Sequence, residues 1–307
     1  MVIREVNDAE QWDDLVSRAR GGTVFHTSRW TSQLRRAIVR LGAFKGDTLV
    51  AGILAFDNET SPNPHDTITP YQGPLIAPHE KKALTPAEIY RLMLPLTRAI
   101  KERIPNVKFV TSPWLESLGT FLEEGYEARL LYTYLLTMPC ADSAWASFSS
   151  GLRSNIRSAQ KAGLVADETV SSDELLLLVA QSFARQNMRL WFDREEAVAC
   201  LSNLTETHQV RVFITRKPDA TPVAAVAVVR DERRSYYVLG GYDHTSAHRG
   251  ATSLAMWAAI QFAYSQWGLS EFDFEGSYLP FVARFFRQFA NEFRSFYFVT
   301  EATRPLY

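Results

Sequence analysis

The sequence is poor in the features that most quickly define a protein class. It has only 2 cysteines, Cys140 and Cys200, which allow at most one disulfide and lack the spacing of a zinc site. It has no excess of charge either, since 33 basic side chains stand against 34 acidic ones. This balance argues against a domain-wide electrostatic field for nucleic acid, so any anion site must be a local cluster.

Long apolar runs and common catalytic motifs are missing as well. Purely apolar stretches such as 175–180 and 223–229 are far shorter than the ~20 residues of a membrane-spanning helix. The first residues show no cationic stretch followed by an apolar one, so we expect a cytoplasmic protein without a secretory signal. The motifs of α/β-hydrolases, P-loop proteins and Rossmann domains do not occur, and the histidine spacing predicts no metal site.

What the chain does have is length and a repeated order of elements. Its 307 residues are about twice a usual ~150-residue domain. In each half, periodicity predicts helices, an antiparallel hairpin, a loop, a helix, a strand, a helix and a closing strand. We interpret this order as the duplication of one α/β unit and predict domains 1–140 and 141–307, divided at a turn-prone stretch. One long helix is predicted over 145–162.

An acidic strand end is the first candidate site. Within 271–277, alternation places Phe272 and Phe274 on one face of a short strand and Asp273 and Glu275 on the other. Carboxylates at the end of a core strand suit the orientation of an amine or the removal of its proton. A structural carboxylate that caps the following helix fits the same pattern.

A turn with small residues before a helix is the second candidate. Arg249, Gly250 and Ala251 follow a polar turn and precede a helix predicted from Thr252. Small residues at a helix N-terminus let backbone N–H groups approach a phosphate, and the arginine adds a counter-charge. The alternative is a plain strand-to-helix connection with Thr252 as the N-cap.

The helix predicted after the acidic strand end carries an apolar stripe and two cations. Phe281, Phe285 and Phe289 repeat at i, i+4 and i+8, which is typical of a face in the core. Arg284 and Arg287 lie on another side and either bind a donor phosphate or are solvated charges.

A basic stripe stands just after the predicted boundary. Arg153, Arg157 and Lys161 repeat at i, i+4 and i+8 of one helix face, and no acidic residue occurs between Asp142 and Asp167. Repelling charges so arranged favour an anionic partner such as a diphosphate or an RNA backbone. A solvated helix face is the alternative.

Several segments, in this order, resemble the Fem-type branch of the GNAT N-acyltransferase superfamily. They are 22–30, 152–163, and 272–277 followed by 284–289, and the likeness runs along nearly the whole chain. It implies an α/β (α+β) protein of two tandem GNAT-like domains, each a mixed, mostly antiparallel sheet flanked by helices. No heptad stretch is long enough for the coiled-coil arm of the bridge-forming members of this branch.

The resemblance also implies an activity, the transfer of an acyl or aminoacyl group to an amine. Aminoacyl-tRNA is the donor in the members that form peptidoglycan bridges, and acyl-CoA is the expected donor in relatives linked to cell-surface polysaccharide synthesis. We favour acyl-CoA as co-substrate and an amine of a nucleotide-linked sugar or cell-envelope precursor as acceptor. An aminoacyl-tRNA donor and a catalytically silent binding module are the two alternatives.

Residue roles follow from the resemblance together with the motifs. The second domain is expected to hold the donor at the turn before its apolar helix. Glu275, Asp273 and Tyr278 are the candidate catalytic residues. The loop around Tyr71 and Gln72 is expected to shape the acceptor site of the first domain, and the basic stripe is the further candidate for binding acceptor or anion.

Overall fold

The chain folds into two compact units. The computed structural model describes residues 1–57, 67–78, 83–115, 117–185, 187–245, 248–276 and 280–302. Unit 1 consists of Met1–Tyr132 together with Ser295–Tyr307, and unit 2 is Thr133–Arg294.

Unit 1 is built on an antiparallel sheet in the order β1 (Val2–Glu5), β2 (Ile38–Lys45), β3 (Thr48–Phe56) and β4 (Gly73–Ile76). Its helices are α1 (Ala9–Arg18), α2 (Ser28–Thr31), α3 (Pro86–Arg103) and α4 (Gly119–Glu123). Beyond β4, a parallel bridge joins Gln72 to Thr111, next to β5 (Lys108–Val110). The predicted hairpin is confirmed, since β2 and β3 pair from Ile38↔Phe56 to Lys45↔Thr48.

Unit 2 begins within β6 (Tyr126–Thr137) and continues through α5 (Ala141–Ser147), α6 (Ser150–Lys161), β7 (Val165–Thr169), α7 (Asp173–Arg185) and α8 (Arg194–Thr205). There follow β8 (Val210–Arg216), β9 (Pro222–Arg230), β10 (Ser235–Tyr242), α9 (Ala251–Ser265), β11 (Glu271–Asp273) and α10 (Pro280–Phe286). Its sheet has the order β6-β11-β10-β9-β8-β7, and its pairs are antiparallel except β10 with β11.

The two units repeat one order of strands and helices, as the duplication predicts. In unit 1, four antiparallel strands and a helix precede β5, and in unit 2, β7 to β10 and α9 precede β11. Each unit, however, is completed by a strand from the other half of the sequence. The final strand, β12 (Glu292–Glu301), pairs with β5 through Phe298↔Val110, while β11 pairs with the end of β6 through Phe272↔Leu136.

This exchange of strands is why the compact units differ from the predicted domains 1–140 and 141–307. Residues 133–140 lie in unit 2, and residues from Ser295 onward lie in unit 1. A boundary read from turn propensity follows the chain, whereas the units follow strand pairing between distant segments.

The single helix predicted over 145–162 is wrong, since the structure has α5 and α6 there. The chain is extended at Phe148 (ψ 147°) and Ser149 (ψ 148°) between them. The hydroxyl of Ser149 accepts a hydrogen bond from the N–H of Leu152 and so starts a new helix. The strand β7 and the helix α8 were not predicted from the sequence.

The core of unit 2 explains why α9 is apolar on nearly every side. Its buried residues Ala255 and Ile260 lie in one cluster with Leu152 and Ile156 of α6 and with Phe272 of β11. The helix therefore packs both on the sheet and under α6, which leaves it little polar surface.

His26 is a titratable group of unit 1 that lies in the core. The side chain is fully buried, and its Nδ1 lies 2.8 Å from the hydroxyl oxygen of Thr23. Burial lowers the pKa of His26 from 6.5 to about 4, because the charged imidazolium has lost its water.

We expect this histidine to make unit 1 sensitive to acid. The unfolded chain binds a proton at His26 below pH 6.5, and the folded protein binds one only near pH 4. Stability should be complete above pH 6.5 and should fall by about 3 kcal/mol as the pH drops to 4. Denaturant unfolding across this range measures the slope. His26→Gln should flatten it, whereas His244→Gln, at an exposed position, should not. A slope unchanged by His26→Gln would refute the assignment.

Candidate functional site

The candidate site lies where two parallel strands of unit 2 separate. The strands β10 and β11 pair only through Ser235↔Phe272 and Tyr236↔Asp273. Beyond these pairs β11 ends, while β10 continues to Tyr242 with a register shift between Tyr237 and Leu239 against β9. Such an irregularity bends a strand and redirects its side chains. The result is an opening in the sheet, which we call the strand gap.

Glu275 lies at the strand gap with a strained backbone and a carboxyl oxygen that lacks a hydrogen bond within the described residues. Its backbone is left-handed (φ 47°), which is uncommon for a residue with a side chain. Its Oε1 is buried and has no hydrogen-bond partner in the part of the chain that the structure describes. Burial, and then the negative charge of Asp273, raises the pKa of Glu275 well above its usual value. Strain and an unpaired buried oxygen each oppose folding by about 1–3 kcal/mol, and both concentrate at functional sites.

Tyr237 shares this environment and was not predicted from the sequence. Its ring packs edge-on against Phe286 of α10, with 4.9 Å between the ring centroids. Burial raises its pKa, and the charge of Glu275 raises it further, so the two side chains lie close enough to interact. A Cβ atom at Gly240 would lie 2.8 Å from the phenol oxygen, so glycine makes room for this hydroxyl. The one sequence signal for Tyr237 is the glycine three residues later in the same strand, which leaves room for the phenol.

Asp273 precedes Glu275 by two residues and is fully buried. One of its oxygens, Oδ1, accepts a hydrogen bond of 2.6 Å from the hydroxyl of Thr133 and one of 2.9 Å from the N–H of Glu275. The carboxylate therefore closes a turn over the two residues that follow it, as aspartate commonly does. Thr133, on β6, is a second residue that sequence reasoning missed.

The phenylalanines of the acidic strand end lie in the core as predicted. Phe272 and Phe274 are fully buried. Phe274 stacks on Phe286 and packs against Phe289, at centroid distances of 5.3 and 5.8 Å. These contacts fix the backbone immediately before Glu275.

The predicted donor site lies at the N-terminus of α9. The N-cap residue Gly250 has no side chain with which to cap this helix. Two N–H groups at the helix start are taken up by His248: that of Gly250 donates to its Nδ1 (3.0 Å), and that of Ala251 donates to its carbonyl (2.9 Å). Thr252 is half-buried, and Arg249 is exposed. A helix start beside an exposed arginine suits an anion, because the helix dipole adds to the arginine charge.

The two arginines predicted to join the donor site lie on and just after α10. Arg284 and Arg287 are both exposed, so both can reach an anion in solution. Tyr278, the third candidate catalytic residue, lies outside the described residues.

The three cations of the basic stripe differ in their exposure. Arg153 is half-buried, and its Nη1 donates to the carbonyls of Ala146 (2.8 Å) and Phe148 (2.9 Å) at the end of α5. It thus satisfies the carbonyls left open where the predicted long helix breaks. Arg157 is exposed with its guanidinium over the ring of Trp145, and Lys161 is exposed.

Tyr71 and Gln72 are buried within unit 1. The Tyr71 ring packs edge-on against Phe25 and Phe296. The Gln72 amide donates to the Thr69 carbonyl (2.6 Å) and accepts from the N–H of Val110 (3.1 Å). Both side chains hold the end of β4, and their predicted part in an acceptor site stays a prediction.

Gly250 offers a direct test of the donor helix. A Cβ there would lie 2.0 Å from the carbonyl oxygen of Asn155 on α6. Gly250→Ala should therefore force α9 away from α6 and lower stability by about 1–3 kcal/mol. Thermal unfolding measures this effect. Gly151→Ala is the matched control, because its Cβ would meet nothing within 4 Å. Equal stability of the two variants would contradict the close approach.

The described residues contain no helix long and apolar enough to cross a membrane. The same part of the chain contains no group of three or more metal-ligating side chains.

Comparison with known proteins identifies the fold. The family model "Acetyltransferase (GNAT) domain" matches residues 146–281. The crystal structure of FemX superposes with a TM-score of 0.72 at 11% identity, over 97% of each chain. L-PGS from Bacillus licheniformis gives a TM-score of 0.60 at 13% identity, over 100% of this chain and 96% of its own. No curated protein matches the sequence. The predicted Fem-type arrangement of tandem GNAT-like domains is confirmed as a fold.

Proposed function

We propose that this chain, which matches a GNAT acetyltransferase domain over residues 146–281 and has a FemX-like fold, transfers an acyl group from acyl-CoA to a primary amine. The acceptor is an amine of a nucleotide-linked sugar or of a cell-envelope precursor. One observation carries this proposal: the buried carboxyl oxygen Oε1 of Glu275 at the strand gap, which has no hydrogen-bond partner among the described residues and so is available to a polar group of a substrate.

The chemistry assigned to Glu275 is the removal of a proton. The amine nitrogen attacks the thioester carbonyl, the C–N bond forms, and the C–S bond breaks. Glu275 takes the proton that the nitrogen loses, and the departing thiolate takes up a proton from the solvent. A carboxylate with a raised pKa is a stronger base than an ordinary one, and so it is better matched to this transfer near neutral pH.

Tyr237 is assigned a hydrogen-bonding role at the same gap. A tyrosine phenol is protonated at neutral pH, and burial followed by the charge of Glu275 raises the pKa of Tyr237 further. A protonated hydroxyl beside the reacting carbon is suited to donate to the carbonyl oxygen as negative charge develops on it.

A CoA donor is favoured over aminoacyl-tRNA by the state of the basic stripe. An RNA backbone needs several exposed cations in a row, and Arg153 is engaged by the carbonyls that end α5. A pyrophosphate needs only the start of α9, with help from Arg249 and the arginines of α10. The FemX-like fold keeps aminoacyl-tRNA as the alternative, with Arg157 and Lys161 as its ligands.

Donor binding separates these alternatives. Calorimetric titration should give binding of CoA that Arg249→Gln weakens by about tenfold, equivalent to one charge-assisted hydrogen bond. Binding of charged tRNA that falls steeply with salt, and that Arg157→Gln weakens, would instead support the tRNA alternative. Binding of neither donor would favour the catalytically silent module.

Glu275→Gln tests the catalytic assignment. The amide keeps the size of the side chain and cannot take a proton, so kcat should fall roughly 10²–10⁴-fold while CoA affinity is kept. Because burial and Asp273 raise the pKa of Glu275, the acidic limb of kcat/KM should lie above the usual carboxyl range. Glu232→Gln, at an exposed turn position, is the control and should match the wild type. Full activity of Glu275→Gln would overturn the role.

The remaining roles are proposals about where the acceptor meets the enzyme. The loop at Tyr71 and Gln72 is assigned to the acceptor, and the cytoplasm, where CoA and nucleotide-linked sugars are made, is the proposed location.

A further inference from the structure

The strand gap depends on a residue far from it in the sequence. Thr133 is fully buried on β6, and its hydroxyl lies 2.6 Å from Oδ1 of Asp273, 140 positions away. Buried threonines in strands commonly bond to the backbone, but this hydroxyl reaches a carboxylate, and its other hydrogen bond within the described residues, to the Tyr134 carbonyl, is long at 3.4 Å. The short bond to Asp273 is the dominant interaction of this side chain.

Strand pairing brings the two residues together. The β6–β11 ladder ends at Asp273↔Leu135, and one more backbone hydrogen bond, from the N–H of Phe274 to the Tyr134 carbonyl (3.0 Å), extends it. Thr133 is the next residue along β6, so its side chain meets Asp273 where regular pairing stops. From there the chain turns into Glu275.

The same carboxylate oxygen holds Glu275. Oδ1 of Asp273 accepts the Glu275 N–H at 2.9 Å while it accepts the Thr133 hydroxyl. Two donors on one oxygen fix the orientation of the carboxylate, and through it the left-handed backbone of Glu275 (φ 47°). A non-glycine residue keeps such a conformation only where its surroundings enforce it.

We infer that Thr133 and Asp273 are positioning residues, which together aim the Glu275 carboxyl into the strand gap at the acceptor amine. This inference rests on the proposed function for the identity of the amine, but the hydrogen-bond chain from Thr133 through Asp273 to Glu275 exists without it. The two residues touch neither substrate, and they act through Glu275 alone.

The charge of Asp273 also changes the pKa of Glu275, which a merely structural residue would not do. Negative charge behind Glu275 opposes its ionisation and helps to raise its pKa. Asp273→Asn keeps an oxygen that can accept both hydrogen bonds but removes this charge. The geometry should therefore be kept while the proton affinity of Glu275 falls.

Kinetics of matched threonine variants test the positioning. Thr133→Val keeps the shape of the side chain and removes the hydroxyl, so kcat should fall about tenfold, the value of one lost hydrogen bond, with the KM for the donor unchanged. Thr133→Ser restores a hydroxyl and should recover most of kcat. Thr137→Val, on the same strand at an exposed position, is the control and should match the wild type. Circular dichroism melts verify that each variant is folded.

The titration of Glu275 tests the hydrogen bonds from Thr133 through Asp273 to Glu275 without any substrate. Glutamate labelled with ¹³C at the carboxyl, assigned by means of Glu275→Gln, reports its pKa by NMR. Asp273→Asn should shift this titration to lower pH, and the acidic limb of kcat/KM should move with it. Amide hydrogen exchange at Glu275 should speed up in Asp273→Ala.

The outcomes separate this inference from the proposed function. A wild type without acyl transfer would refute the proposed function, and the NMR titration and amide exchange would still decide whether Asp273 holds and tunes Glu275. A Glu275 titration unmoved by Asp273→Asn would overturn the inference. So would a Thr133→Val variant with the kcat of the wild type.

Discussion

Unit 2 depends on a pair of parallel strands held together by only two residue pairs. Between β10 and β11, Ser235 and Tyr236 are paired, and no later residue of either strand is paired with the other within the described residues. A sheet that separates in its interior exposes backbone and side chains that a continuous sheet would bury, so the surroundings must compensate. Here Phe274 stacks on Phe286 of α10 directly after β11, and β6 supplies a buried hydroxyl to Asp273. The polar groups left at the gap are those to which chemistry is assigned.

Much of this fold follows from local sequence patterns. The β2–β3 hairpin, the apolar helix α9 and the burial of Phe272 and Phe274 all result from periodicities of a few residues. The acidic strand end was also recognisable as a candidate site, because carboxylates beside an apolar strand have few structural uses. What the alternation could not predict is the difference between the two carboxylates: Asp273 accepts hydrogen bonds from Thr133 and from the N–H of Glu275, whereas Oε1 of Glu275 is buried without a partner in the described residues.

The parts that sequence reasoning missed are set by distant partners. Thr133 meets Asp273 across 140 positions, and no periodicity contains that contact. The break between α5 and α6 was missed because a helix-like pattern of apolar residues continues across it, and the Ser149 cap that divides it resembles any other serine. The division of the basic stripe follows from this break, since Arg153 turns back to the carbonyls that the break exposes. The wrong helix boundary thus hid the structural contacts of Arg153, while the binding of an anion by the stripe stays a prediction.

The exchange of closing strands also bears on how such a chain can evolve. The strand that completes unit 1 is β12, and residues that complete unit 2 come from β6. Once a duplicated gene has traded its closing strands in this way, neither copy can be deleted, shuffled or expressed alone without leaving the other with an unpaired sheet edge. The two copies are then free to diverge in sequence, as they have here, while they are inherited as one indivisible module.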